Sequence, residues 1–207
     1  MEPAPPVSTE RNREFMRLLT PVQHRLMHFA RAMTRDVHEA DDLVADTVLA
    51  ALERFAEVRD QRAFLSFLFT IASRLHRRKR LRSMFFGDYC EERALRIHDP
   101  GVSPESSAEV QLLYRALAQL PERQREAVML FEISDLTLEE IRAIQGGSLS
   151  GVKMRVVRGR EALSRILGVP ANGGGGIADR GRPSTPELDR EFDNMSLLTI
   201  TGATRNA

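Results

Sequence analysis

Residues Leu136–Leu167, LTLEEIRAIQGGSLSGVKMRVVRGREALSRIL, decide the fold. They read as two short helices joined by a glycine turn. Thr137 caps the first and Glu140 completes a Thr-x-x-Glu capping box, while Leu138, Ile141 and Ile144 recur at helical spacing as a buried stripe. Gly146 and Gly147 end that helix, and either Ser148 or Ser150 can cap the next. On the second helix Val152, Val156 and Leu163 are expected to face inward. Lys153, Arg155, Arg158 and Arg160 read as a one-sided cationic run facing a polyanion. The arrangement fits a helix-turn-helix, whose second helix enters the major groove. A basic helix face is also, commonly, a solvated surface.

Upstream, the pattern is again helical. Val110, Leu113, Leu117 and Leu120 recur at helical spacing, and Pro121 opens a helix carrying Ala127, Val128, Leu130 and Phe131. Together with the hairpin these make a four-helix domain over about 107–168. Before it, residues 84–106 lack any period and contain Gly87, Pro100, Gly101 and Pro104, the composition of a flexible linker.

Residues 14–83 read as a three-helix bundle. Its first helix is expected to begin at Thr20-Pro21-Val22-Gln23, with Thr20 as cap and Val22, Leu26, Phe29, Ala30 and Met33 inside. The second, capped by Asp36 with Glu39, buries Ala40, Leu43, Val44, Thr47, Val48, Ala51 and Phe55. The third runs from Ala63 to about Arg82 and passes midway from an apolar segment into RLHRRKRLR. Residues 1–13 read as a flexible proline-rich tail. Residues 169–207 read as a glycine-rich extension in which Leu188, Phe192, Met195 and Leu198 form a short amphipathic segment. The fold class expected is therefore all-α, two small helical domains on a linker.

Composition narrows the function. With 207 residues and 42% hydrophobic content the chain can bury real cores, but its formal net charge is only +1. Affinity for nucleic acid must then come from local segregation of charge. Arg74, Arg77, Arg78, Lys79 and Arg80 stand in a run without an acid, and Glu39, Asp41, Asp42 and Asp46 in a run without a base. The acids have two readings: a surface for a basic protein partner, or simple stabilisation of a helix N-terminus. Phe64, Phe67 and Phe69, at helical spacing in an apolar run, read as core before they read as platforms for bases.

Catalytic and metal readings find little support. His24 and His28 sit four apart without a third ligand, Ser150-Gly151-Val152-Lys153 lacks the companion motifs of an acylating Ser-x-x-Lys enzyme, and the single cysteine, Cys90, has no partner thiol. The tail glycines Gly173–Gly176 lack the Lys-Ser/Thr of a phosphate loop. No enzyme activity, cofactor, metal or small-molecule substrate is expected. No apolar run approaches the roughly 20 residues of a membrane span, and the N-terminus has no signal-peptide core, so the cytoplasm is the expected compartment.

Three blocks then resemble extracytoplasmic-function sigma factors, the small initiation subunits of bacterial RNA polymerase. HEADDLVADTVLAALERF (38–55) is similar to the acidic polymerase-binding helix of that family, and FLFTIASRLHRRKR (67–80) to its promoter-melting helix. ALAQLPERQREAVMLFE (116–132), followed by LTLEEI and GVKMRVVRGR, resembles its upstream-element reader. The chain departs from the family pattern at Phe67, where tryptophan is usual, at Arg142 and Gly147 in the hairpin, and at Gly159 inside the reader helix. The resemblance implies core RNA polymerase, promoter DNA and an anti-sigma factor as partners. It implies polymerase binding by Asp41, Asp42, Leu43, Asp46 and Thr47, DNA gripping by Arg74, Arg77, Arg78, Lys79 and Arg80, and upstream reading by Ser148, Ser150, Lys153, Arg155, Arg158 and Arg160. It also implies capture of a flipped base by the loop 58–62. The rival functions are a helix-turn-helix regulator that binds duplex DNA without polymerase, and a sigma-like helical interaction protein.

Overall fold

The computed structural model describes residues 7–34, 36–55, 61–86 and 104–168, which hold eight α-helices and no strand. They are α1 (Val7–Leu19), α2 (Gln23–Met33), α3 (Val37–Glu53), α4 (Gln61–Phe86), α5 (Pro104–Ala118), α6 (Glu122–Glu132), α7 (Leu138–Gln145) and α8 (Leu149–Leu167). They gather into two compact units, α1–α4 and α5–α8. The amphipathic segment 188–198, the glycines 173–176, Cys90 and residues 58–60 of the base-capture loop lie outside the described residues, while Gln61 and Arg62 begin α4.

The first unit has one helix more than its periodicity suggests. Residues assigned above to a loose tail form most of α1, whose Phe15, Leu18 and Leu19 are buried. Prolines immediately precede the helix, where a missing N–H costs nothing, and Phe15 then meets Phe55 and Phe64 edge-on at 5.2 and 5.6 Å between ring centroids. Arg11 donates from its guanidinium to the carbonyls of Leu52 and Glu53, satisfying acceptors that the end of α3 leaves open. Thr20 does not cap α2: its hydroxyl turns back to the Met16 carbonyl at 2.7 Å, and Val22 occupies the cap position without a side-chain bond.

Asp36 caps α3 as expected, its carboxylate accepting from the His38 N–H at 2.7 Å. The α3 stripe turns inward, with Ala40, Leu43, Thr47, Ala51 and Phe55 buried and Val44 and Val48 half-buried. In α4, Phe64, Leu68, Phe69 and Ala72 are fully buried and Phe67 half-buried; Phe69 packs edge-on against Phe29 at 5.4 Å. Phe64 and Phe69 are therefore core residues, unavailable to stack on bases. The helix continues past Arg82 to Phe86, and from Arg78 to Arg82 every side chain is exposed.

In the second unit α6 and α7 both pack on α8, as does α5. Tyr114, Leu117 and Leu120 meet a core built from Ala127–Phe131, Leu136, Leu138, Ile141, Val152 and Val156. The periodic lull 84–106 is shorter than read from sequence, because α4 and α5 take residues from both of its ends.

Candidate nucleic-acid interface

The hairpin forms from the residues that signalled it. Thr137 Oγ1 accepts from the Glu140 N–H at 3.3 Å, while the Glu140 carboxylate accepts from the Thr137 N–H at 2.8 Å, so the capping box is complete. Ser148, not Ser150, caps α8: its Oγ accepts from the Gly151 N–H at 3.1 Å and lies 3.2 Å from Ser150 Oγ. Between the helices Gly146 and Gly147 adopt φ of 76° and 92°, a region that side chains resist. A Cβ at Gly147 would also lie 2.9 Å from Nη2 of Arg155. The positive φ of Gly147 makes glycine a requirement of this turn.

Arg155 braces the same turn. Its Nη1 donates to Gln145 Oε1 at 2.6 Å and its Nη2 to the Gly146 carbonyl at 3.2 Å, folding the guanidinium over the turn. Gln145 in turn donates to Glu126 Oε2 at 2.8 Å and to the Arg123 carbonyl at 3.1 Å. A polar relay, Arg155–Gln145–Glu126, therefore ties α8, α7 and α6 together through a largely buried glutamine and a largely buried glutamate. Nothing local in the sequence marks it, because its members are 10 and 19 residues apart. Gln145→Ala would remove the bonds from Gln145 to Arg155 and Glu126, a hydrogen bond to a charged group being worth about 1.5–3 kcal/mol. The expected result is a fall of roughly 2–4 kcal/mol in the stability of this unit, measured by denaturant unfolding, with Gln145→Glu restoring only the Arg155 end.

Arg160 likewise has partners inside the unit. Its guanidinium pairs with the Glu132 carboxylate on α6 and lies 5.3 Å from the centre of the Phe131 ring. Arg155 and Arg160 are thus held within the unit by these contacts while keeping part of their surface exposed. Ser150, Lys153 and Arg158 remain on the exposed side of α8, and Ser148 spends its oxygen on the cap.

In the first unit, Leu43 is 3% and Thr47 0% exposed, and the Thr47 hydroxyl donates to the Leu43 carbonyl at 2.6 Å. Both belong to the interior, which removes them from any partner-binding surface of the folded unit. Asp41, Asp42 and Asp46 are exposed. Only Glu39 lies in the first turn of α3, so the helix dipole, which fades within one turn, offers these aspartates little. Asp42 and Asp46 stand four apart, a like-charge spacing that weakens a helix. Self-stabilisation therefore does not account for the cluster. Arg74, Arg78, Lys79 and Arg80 are exposed on α4 and Arg77 half-buried. The acidic and basic surfaces adjoin, for Lys79 Nζ is 3.7 Å from Asp42 Oδ2.

The rings of His24 and His28 lie edge-on at 6.5 Å, and among the described residues no group of three or more His, Cys, Asp or Glu is placed to hold a metal ion. No helix among the described residues is long and apolar enough to cross a membrane.

Comparison with known proteins accounts for both units. Residues 18–83 match the family Sigma-70 region 2, and residues 110–163 match Sigma-70, region 4. The chain is 34% identical over 145 residues to the ECF RNA polymerase sigma factor EcfG of Rhodopseudomonas palustris, covering 69% of this chain and 78% of that protein. It is 30% identical over 146 residues to the RNA polymerase sigma factor CarQ of Myxococcus xanthus, covering 70% and 83%. Among solved structures it is similar to the sigma factor RpoE of Bartonella quintana, crystallised in complex with the anti-sigma factor NepR. That similarity has a TM-score of 0.63 and 27% identity and covers 76% of this chain and 98% of that one. With an acid-faced helix, an arginine-bearing helix and a helix-turn-helix in this order, the chain belongs to the extracytoplasmic-function family of RNA polymerase sigma factors.

Proposed function

We infer that this sigma factor binds core RNA polymerase through the exposed aspartates of α3 and engages promoter DNA through α4 and α8. The observation that carries this reading is the sorting of charge on exposed faces: Asp41, Asp42 and Asp46 on one helix, Arg74, Arg78, Lys79 and Arg80 on the next, Lys153 and Arg158 on the reader. Each cation that neutralises a phosphate releases counterions, so the α4 contacts supply salt-sensitive affinity and little sequence information. Base readout falls to the exposed side of α8. Arg77, half-buried on α4, contributes its charge from the edge of that surface.

On this reading the protein acts by binding and by helping the strands to separate, without covalent chemistry of its own, in the cytoplasm where polymerase and DNA reside. Residues 107–168 form the upstream-reading domain and 14–83, preceded by the α1 segment, the polymerase-binding domain. An anti-sigma factor is proposed as a further partner, by extension from the Bartonella quintana relative.

Run-off transcription tests it. Core polymerase supplemented with this protein is expected to initiate at new, specific starts, and the protein alone is expected to leave no footprint on the same duplex. A footprint without polymerase, and no new start with it, would replace this reading with that of a conventional helix-turn-helix regulator.

A further inference from the structure

We propose that Met154 is a specificity-determining residue of the upstream reader, recognising the 5-methyl group of a thymine in the major groove. The inference rests on α8 being the DNA-facing helix and adds what that helix selects. Ser150, Met154 and Arg158 stand at successive intervals of four, so they share one face of α8, with Lys153 beside Met154. That face is polar and cationic except at its centre, where Met154 leaves 44% of its surface in solvent.

A lone exposed apolar side chain is ordinary on a protein surface. Here its position gives it meaning, because the cations on both sides of Met154 are the ones that would bring the helix against DNA. Once Lys153 and Arg158 bind, the thioether is pressed into the groove between them. A group without donors or strong acceptors gains nothing from guanine, cytosine or adenine edges. Thymine alone among the four bases offers a methyl group there. The unbranched, polarisable methionine side chain adapts to such a contact without a fixed rotamer. Val152 and Val156 are fully buried and excluded from this role, and Leu149, 39% exposed, projects about 140° from Met154 around the helix.

The test uses holoenzyme assembled from core polymerase and the full chain, on a promoter duplex selected by that holoenzyme from a library randomised upstream of the start. Each thymine of the selected upstream element is replaced in turn by deoxyuridine, which removes only the methyl group. With the wild-type protein, initiation is expected to fall about fourfold at one position, the worth of burying one methyl-sized group. Met154→Ala is expected to show the same loss on the unmodified duplex and indifference to deoxyuridine there, and Met154→Leu to keep the sensitivity. Absence of any sensitive thymine with the wild type, or undiminished sensitivity in Met154→Ala, overturns the proposal. Lys153→Ala with Arg158→Ala separates it from the underlying reading: if that pair leaves upstream selection and its salt dependence unchanged, α8 is not the DNA-facing helix at all.

Discussion

Asp41→Lys combined with Asp42→Lys is expected to abolish capture of core RNA polymerase, by at least about 100-fold, in a pull-down carried out without DNA. Placing cations where a partner expects carboxylates costs several kcal/mol at a charge-complementary interface, and about 3 kcal/mol corresponds to that loss. The fold is expected to survive. Both aspartates are exposed, both lie beyond the first turn of α3, and their replacement relieves the Asp42–Asp46 repulsion. What is lost is the Asp42–Lys79 pair, an exposed contact worth at most about 1 kcal/mol. DNA must be omitted because the new lysines enlarge the basic surface of α4 and would retain polymerase through nucleic acid. A double variant with native helicity that still recovers core polymerase in full would sink the assignment of α3 as the polymerase-binding helix.

The acidic cluster also shows what sequence alone could and could not separate. Two readings of Asp41, Asp42 and Asp46 were open until the start of α3 was known to be Val37, because only that boundary says which acids the helix dipole can reach. Leu43 and Thr47 were assigned to two roles at once, core stripe and partner surface, and a helical side chain cannot serve both; burial decides for the core. The cationic run of α8 held a similar conflict, which helical phase exposes and tertiary contacts resolve. At about 100° per residue, Lys153 and Arg155 point some 200° apart, so the four cations never could share one face. Lys153 and Arg158 are both exposed, whereas Arg155 bonds Gln145 and Arg160, although within about 20° of Lys153 in helical phase, reaches to Glu132.

Other features lay beyond local pattern. Helix α1 has a legible apolar repeat in Phe15, Leu18 and Leu19, but its proline-rich approach reads as a tail until the Phe15–Phe55–Phe64 contacts give the helix a surface to bury. The Arg155–Gln145–Glu126 relay is a product of tertiary packing, with no periodic signature to find. By contrast the Thr137 capping box, the glycine turn and the apolar stripes of α2, α3 and α7 were readable because each is satisfied within a few residues of chain.

Gly159 is where a residue that looks like a defect turns out to set the packing. In an exposed helix, alanine would be better than glycine by about 1 kcal/mol. Here a Cβ would lie 2.5 Å from Val128 Cγ2 and 3.3 Å from the Gln124 carbonyl, so α6 and α8 approach each other through the missing side chain. Overpacking costs about 1–3 kcal/mol for added carbons and exceeds the propensity gain. Gly159→Ala is expected to destabilise the second unit by up to about 2 kcal/mol and Gly159→Leu by about 3 kcal/mol or more, lowering its melting temperature by roughly 12 °C or more. The chain has no tryptophan, and Tyr114 is buried in this unit, so tyrosine fluorescence joins far-ultraviolet circular dichroism as a reporter of its unfolding. Adding Val128→Ala to Gly159→Ala is expected to recover part of the loss, since the nearest obstruction is then gone and the helix-propensity gain remains. A higher melting temperature for Gly159→Ala alone would mean that the two helices have room to spare, and the close approach that positions Lys153, Met154 and Arg158 for DNA would have to be given up.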